Sequence, residues 1–263
     1  MAQTTSATAL ITGASSGIGR ALARLFARDG YALVLVARRG GVLEELATEL
    51  SRDHGVAVRV MPIDLATPDA ATRLVGDLQH AGVQVDVLVN NAGFAMQGAF
   101  VALPVDRQLQ MIHLNVTALT ALTRLLLPSM LERPGGGVLN VGSTAGFQPG
   151  PFMAVYYATK AYVVSFSEAL ADELSGSGLR ISCLAPGPTA TAFAAEAGAA
   201  ESRLFQGETM SVEDVARIGY EGWRDGKPLV IAGARNRVGA LAVRLLPRAY
   251  VRRLVRALNT RGD

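Results

Sequence analysis

Cysteine occurs once in the 263 residues of this chain, at Cys183, which excludes an intrachain disulfide and suits a reducing compartment such as the cytoplasm. Histidine is almost as scarce. His54, His80 and His113 have none of the spacings of a metal-ligating set, so no catalytic metal is expected. No stretch approaches the ~20 apolar residues that cross a bilayer, and the opening MAQTTSATALITG lacks the basic-then-apolar pattern of a signal peptide. A soluble, cytoplasmic protein is the expectation. Charged residues are few, 18% against 50% hydrophobic, which excludes a disordered chain and provides for a large buried core. The net charge of +3 conceals a divide: residues 1–234 hold 17 basic and 21 acidic side chains, whereas residues 235–263 hold 8 arginines and one aspartate. The body therefore lacks the basic surface of a nucleic-acid binder, and the basic character belongs to the tail.

What is present is an alternation of two patterns. Seven short runs rich in Val, Ile and Leu, at 8–14, 32–38, 56–64, 85–93, 137–143, 179–187 and 228–233, read as strands. Most are near-continuous apolar runs, the pattern of strands buried on both faces of a parallel sheet. Helical stretches separate them. GGVLEELATELSRDHG repeats Leu43, Leu46 and Leu50 at helical spacing and ends at Gly55, a helix-stop residue. SVEDVARIGYEGW opens on Ser211, a residue type that caps helix N-termini. This alternation predicts right-handed βαβ units and so an α/β fold, a doubly wound parallel sheet with helices on both faces. No repeat or low-complexity linker marks a boundary, so one domain spanning 1–263 is expected, ending in the basic tail 235–263. Within that tail Leu241, Leu245, Tyr250 or Val251, Leu254 and Leu258 recur at helical intervals between arginines, and Pro247 is expected to divide it into two helices.

In a doubly wound sheet, ligands bind at the carboxyl ends of the strands. The first strand runs into TGASSGIGR, where Gly13, Gly17 and Gly19 stand in a G-x-x-x-G-x-G spacing ahead of a helical pattern. Such a turn lets backbone N–H groups and a helix N-terminus face a pyrophosphate. A glycine-rich turn with no ligand is the bland alternative; position at the start of a βαβ unit argues against it. The second strand ends in VARR, with no acid for a ribose 2′-hydroxyl and two arginines for a 2′-phosphate. NADP(H) is therefore predicted over NAD(H), with Arg38 as the contact.

VYYATKAY sets Tyr156 four residues and Tyr157 three residues before Lys160, with Tyr162 two after it. Helical geometry alone leaves the first two tyrosines equal, because both spacings bring side chains together. With TGASSGIG (12–19), DL (64–65), NNAG (90–93), Asn115 in HLNVTA, Ser143 in NVGSTAG, YYATK (156–160) and PGPTAT (186–191), the chain resembles the short-chain dehydrogenase/reductase family. The resemblance covers residues 8 to about 192, in the NADP(H)-preferring single-domain branch, and Ser143 stands thirteen residues before Tyr156, as is usual there. It implies a Rossmann-type fold and hydride transfer between a nicotinamide and a carbonyl or secondary alcohol. Its Y-x-x-x-K pattern selects Tyr156 as general acid/base, leaving Tyr157 and Tyr162 to packing. A free tyrosine has a pKa of ~10, and bringing it near neutrality takes ~4 kcal/mol, which the Lys160 cation and the nicotinamide charge are expected to supply.

The same resemblance assigns the remaining site residues. Ser143 would hold the substrate oxygen, and Asn115 would hold a water linking Lys160 to solvent. Gly13, Ser15, Ser16, Gly17, Ile18 and Gly19 would surround the phosphates. Asp64 and Leu65 would lie by the adenine, with Asn91, Ala92 and Gly93 along its ribose. Lys160 with Tyr156 would meet the nicotinamide ribose, and Pro186, Gly187, Thr189 and Thr191 the nicotinamide amide. A homodimer or homotetramer is the implied assembly.

Substrate contacts are expected from FAMQGAF (94–100), GFQPGPF (146–152) and AFAAEAGAAESRLF (192–205), which are mostly apolar and hold no arginine cluster. That favours a lipophilic small-molecule carbonyl or alcohol over a sugar phosphate. Two other functions remain beside this one. One is a non-catalytic NADP(H)-binding regulator, against which the full Asn–Ser–Tyr–Lys set argues. The other is a membrane-surface interaction protein relying on its basic amphipathic tail, although a tail that covers the pocket or a subunit contact is slightly preferred. The terminal RGD, 261–263, reads as coincidence.

Overall fold

A computed structural model describes residues 7–133, 135–207 and 209–260; the RGD tripeptide lies outside them. Its centre is one parallel sheet, and the chain alternates strand and helix as the sequence predicts. In order come β1 (Thr8–Thr12), α1 (Gly17–Arg28), β2 (Ala32–Ala37), α2 (Gly40–His54), β3 (Val58–Pro62), α3 (Ala70–His80) and β4 (Val87–Asn90). Then follow α4 (Val105–Ile112), a π-helical turn (His113–Ala118), α5 (Leu119–Leu131), β5 (Gly137–Val141), α6 (Ala154–Glu173) and β6 (Arg180–Ala185). Two short helices, α7 (Phe193–Glu196) and α8 (Arg203–Gln206), precede α9 (Val212–Arg224), β7 (Leu229–Ile231), α10 (Ala234–Leu245) and α11 (Arg248–Asn259).

The strand order is β3-β2-β1-β4-β5-β6-β7, with every pair parallel. Successive strand residues point to opposite faces, and the two cores divide accordingly. Ile11, Leu35, Val89, Leu139 and Leu184 pack on one face with Leu22, Phe26, Leu43, Tyr220 and Trp223 from α1, α2 and α9. Leu10, Val34, Leu88, Val138 and Ile181 pack on the other with Leu74, Leu78, Leu122 and Leu126 from α3 and α5. The first six strands end before their apolar runs do, and residues at the ends of those runs, such as Gly13, Arg38, Asp64, Gly93, Ser143 and Gly187, line the carboxyl edge of the sheet. The order reverses between β1 and β4, which opens a crevice there.

Local signals hold at the helix ends. Gly55 takes the left-handed conformation after α2 (φ 68°), and the Ser211 hydroxyl accepts a hydrogen bond from Asp214 N–H at 3.0 Å at the start of α9. Pro247 separates α10 from α11. One expectation needs correction. The 27-residue helical run Val105–Leu131 is long and apolar enough to cross a membrane, although no unbroken apolar stretch announced it. Here Leu119, Leu122 and Leu126 bury one side of it.

Candidate active site

The phosphate loop is held from two sides. Gly13 sits at φ 66°, a conformation open to glycine, and a Cβ there would stand 2.7 Å from Asn91 Nδ2. Asn91 in turn donates from Nδ2 to the carbonyls of Thr12 (2.9 Å) and Gly13 (3.2 Å), tying the loop after β1 to the end of β4. Thr12, which sequence reasoning passed over, completes this knot. Its hydroxyl donates to Val89 O and accepts from the N–H groups of Asn91 and Ala92, both at 3.0 Å. A buried threonine in the middle of an apolar run is the signal that marks it.

A cleft of about 460 Å³ opens along the carboxyl edge of the sheet. It is lined by Gly13, Ser15, Ser16, Gly17 and Ile18 at one end and by Pro186, Gly187, Thr189 and Thr191 farther along. Arg38, Asp64, Leu65, Asn91, Ala92 and Gly93 also reach it, as do Ser143, Tyr156 and Lys160. Two expected residues do not. Gly19 is buried behind the loop, where a Cβ would collide with Asn91 and Gly13, and Asn115 lies behind Gly93. The lack of a side chain at Gly19 lets the start of α1 approach Gly13 and Asn91 closely. Both arginines of VARR face the cleft, Arg38 as expected, and Arg39 also reaches back to the loop, donating to Ser15 Oγ at 3.1 Å. Arg39 immediately precedes α2, and the chain's turn there directs it across the loop.

Asn115 stands in the π-helical turn, a widened turn of the kind that recurs at functional sites. It clamps the segment after β4: its Oδ1 accepts from Phe94 N–H (3.1 Å), and its Nδ2 donates to Phe94 O (3.0 Å) and Thr159 Oγ1 (3.1 Å). Thr159 Oγ1 donates to Tyr156 O at 2.7 Å, so this one asparagine links the β4 loop to the helix that carries the tyrosines. Lys160 is buried, with its Nζ donating to Val141 O at the end of β5 at 2.7 Å and lying 5.9 Å from the Tyr156 ring centroid. Burial lowers Lys160 to about 8.

Tyr156 is also buried, and burial pushes its phenol up, with the neighbouring Ser143 hydroxyl pulling the other way. This differs from the expected shift toward neutrality. The protein's own contribution is dominated by desolvation, which disfavours the phenolate. Ser143 follows β5 and caps the turn at Thr144–Phe147, accepting from Ala145 N–H at 3.1 Å. Tyr157 and Tyr162 separate as packing residues. Tyr157 is buried with its hydroxyl donating to Asn259 Oδ1, and Tyr162 is partly exposed, stacked on Phe166 at 5.7 Å.

Beyond Tyr156 the cleft wall is apolar. Phe94, Met153, Tyr157, Phe193, Leu204 and Phe205 form it, drawn from the first and third segments expected to contact substrate and from the residues just after the second, which itself contributes Gln148 to the cleft. Phe193 lies 5.5 Å from Tyr156, ring to ring. Arg107, unforeseen in the sequence, reaches the wall from α4 and stacks over Phe94 at 4.6 Å. His113 does not line the cleft and contacts Thr67 O, and no metal-binding group of His, Cys, Asp or Glu occurs among the described residues.

The profile of the short chain dehydrogenase family matches residues 7–202. The chain belongs to the short-chain dehydrogenase/reductase family. Within this family it is 39% identical over 182 residues to a short chain dehydrogenase of Pseudocercospora fijiensis, across 68% of this chain and 59% of that relative. It is 39% identical over 217 residues to sulfoacetaldehyde reductase 2 of Chromohalobacter salexigens, across 80% of this chain and 85% of the other. The chain thus spans less than two thirds of the first relative and most of the second. A solved short-chain dehydrogenase from Sphingobium yanoikuyae in complex with NADPH superposes with a TM-score of 0.81 at 36% identity, covering 90% of this chain and 92% of that one. The short-chain dehydrogenase/reductase family uses nicotinamide dinucleotides, and the glycine cradle and cleft described above fit one.

Proposed function

We propose that this protein is an NADP(H)-dependent oxidoreductase interconverting a lipophilic carbonyl compound and its secondary alcohol, with Tyr156 as general acid/base. The observation that carries this reading is the meeting of Ser143, Tyr156 and Lys160 in one cleft, between the glycine loop and an apolar wall. When bound, the dinucleotide supplies or receives the hydride. The chain's own residues manage the oxygen and its proton. Ser143 offers a hydroxyl to the substrate oxygen at the point where negative charge develops. Tyr156 hands its proton to that oxygen in reduction and takes it back in oxidation. Burial of the phenol in the absence of the dinucleotide makes it a weaker acid, so proton release calls on the positive charges of Lys160 and the oxidised nicotinamide. The Lys160 cation then stabilises the phenolate left behind.

The preference for NADP(H) rests on Arg38 and Arg39 at the cleft and on the absence of an acid at the end of β2. A guanidinium pair favours a phosphate ester over a neutral ribose. The lipophilic substrate rests on the wall of Phe94, Met153, Phe193 and Phe205, where Arg107 stands alone rather than in a basic cluster. Assaying purified protein with NADPH or NADH against aldehydes and ketones of increasing size tests both points. Turnover of bulky apolar ketones with NADPH is expected; preference for NADH, or for small anionic aldehydes, contradicts the respective claim, and no turnover of any carbonyl contradicts catalysis.

Two surfaces support partners. Val105, Leu109 and Ile112 expose an apolar face on α4 that suits a second copy in a homodimer or homotetramer, and sedimentation as a monomer would contradict that assembly. The tail supports peripheral contact with an anionic membrane. Leu241, Leu245, Tyr250 and Leu254 face solvent, at 61%, 81%, 56% and 47% exposure, among seven arginines between 235 and 256. Self-contact through this face would oppose like charges. Co-sedimentation with phosphatidylserine vesicles but not neutral ones is the expected result, and equal, negligible binding contradicts it.

A further inference from the structure

The end of α11 gathers the substrate side of the cleft at one buried residue. Asn259 is 1% exposed, and each of its polar groups is used. Its Oδ1 accepts from the Tyr157 hydroxyl at 3.2 Å, and its Nδ2 donates to Pro151 O at 2.9 Å. Its backbone carbonyl accepts from Gln97 Nε2. The following carbonyl, of Thr260, accepts from Arg203 N–H at the start of α8 at 3.2 Å. Within two residues, therefore, the chain touches the 94–100 loop, the 146–152 loop, the tyrosine helix and α8. One turn and two turns earlier, Val255 and Val251 pack into the cluster that holds Tyr156, Tyr157 and Met153.

The loop beneath Asn259 is under strain. Phe152 takes a left-handed backbone conformation, φ 65°, unfavourable for a bulky side chain. Such strain persists where the surroundings over-determine it. Here Gly98 N–H donates to Phe152 O at 2.8 Å, and Arg256, on the same helix as Asn259, stands 5.2 Å from the Phe152 ring centroid. An amide is the side chain that serves this position, because it presents an acceptor to Tyr157 and a donor to Pro151 together. Aspartate would leave Pro151 O without its donor, and leucine would leave both partners unpaired.

We infer that Asn259 is a positioning residue: through Tyr157 and the Pro151 loop it sets the width of the substrate subsite beside Tyr156, and so which carbonyl compounds are turned over. This deepens the proposed oxidoreductase function and rests on it. Small displacements of a wall matter because hydride and proton transfer need the carbonyl held in near-attack geometry.

The test compares wild type, Asn259→Leu, Asn259→Asp, Tyr157→Phe and the Asn259→Leu/Tyr157→Phe pair. The ratio of kcat/KM for a bulky ketone to that for a small aldehyde is expected to change about three- to tenfold in Asn259→Leu, which loses both side-chain hydrogen bonds. The change should appear in KM for the carbonyl more than in KM for NADPH. The pair should show less than the product of the single effects, since removing both partners leaves no unpaired hydroxyl. Amide hydrogen exchange, which needs no substrate, should quicken in 94–100 and 146–153 while the strands keep their protection. An unchanged ratio in a turning-over variant, or exchange that quickens everywhere or nowhere, overturns the inference. If Asn259→Leu does not fold, Asn259→Asp carries both readouts. Failure of the wild type itself to reduce any carbonyl would instead count against the functional reading, and the exchange result would still decide the role of Asn259.

Discussion

At the β1–α1 end of the cleft the backbone makes the site, whereas at the far end side chains from four separate segments make it. The glycine loop needs a positive φ at Gly13 and an open approach, and its neighbours Thr12 and Asn91 lie at the ends of adjacent strands. The substrate wall has no such frame. It depends on α7, α8 and α11, which follow the sixth strand, and its hydrogen bonds join residues as far apart as Tyr157 and Asn259. The first arrangement suits a constant ligand part; the second lets substrate range be altered by changes in the tail.

Substitutions at the two ends should therefore fail differently. Gly13→Val is expected to have the largest effect: a β-branched side chain at φ 66°, facing Asn91, should weaken NADPH binding by ~100-fold or more, equivalent to about 3 kcal/mol, in a fluorescence titration. Unaltered affinity would show that the loop does not cradle the dinucleotide. Arg39→Ala should be milder and selective, raising KM for NADPH about tenfold, or about 1.4 kcal/mol, with little change for NADH. Equal losses with both cofactors would remove the 2′-phosphate role. Lys160→Met isolates a titration. The folded-state value of Lys160, lowered to about 8 from 10.5 by burial, makes folding cost more while the group is charged in both states. Its stability contribution is fully present above 10.5 and is lost as pH falls through 8. The variant should thus gain a few degrees of Tm relative to wild type near pH 7, with the gap closing toward pH 10 in parallel melts. A constant gap would mean that Lys160 is not desolvated.

The fold was legible because buried parallel strands leave continuous apolar runs, and all seven appear where VLVLV-like segments place them. Gly55, Ser211 and Pro247 mark helix ends by local chemistry alone. Among site residues, Tyr156 was distinguishable from Tyr157 only by family spacing, since both are buried on the same helix. The bond from Arg39 to Ser15 was not foreseen, because the direction of a side chain at a strand end depends on the turn that follows. Helical spacing in the tail offered Tyr250 or Val251 and then Leu254, and α11 buries Val251, with Val255 and Asn259, and leaves Leu254 half exposed. A polar residue closing a helix carries no local sign that it will meet Tyr157, 102 positions away. Arg107 was missed for the same reason, its partner Phe94 lying on a different segment.

The central claim is that Tyr156, and not its neighbour, exchanges the proton. Single-turnover reduction of a carbonyl substrate by NADPH, followed by loss of nicotinamide absorbance, tests it in wild type, Tyr156→Phe and Tyr157→Phe. The account predicts a fall of ~10²–10⁴-fold for Tyr156→Phe, the range of general acid catalysis, with NADPH still bound, and retained turnover for Tyr157→Phe. Retained turnover in Tyr156→Phe, with loss in Tyr157→Phe, would contradict it.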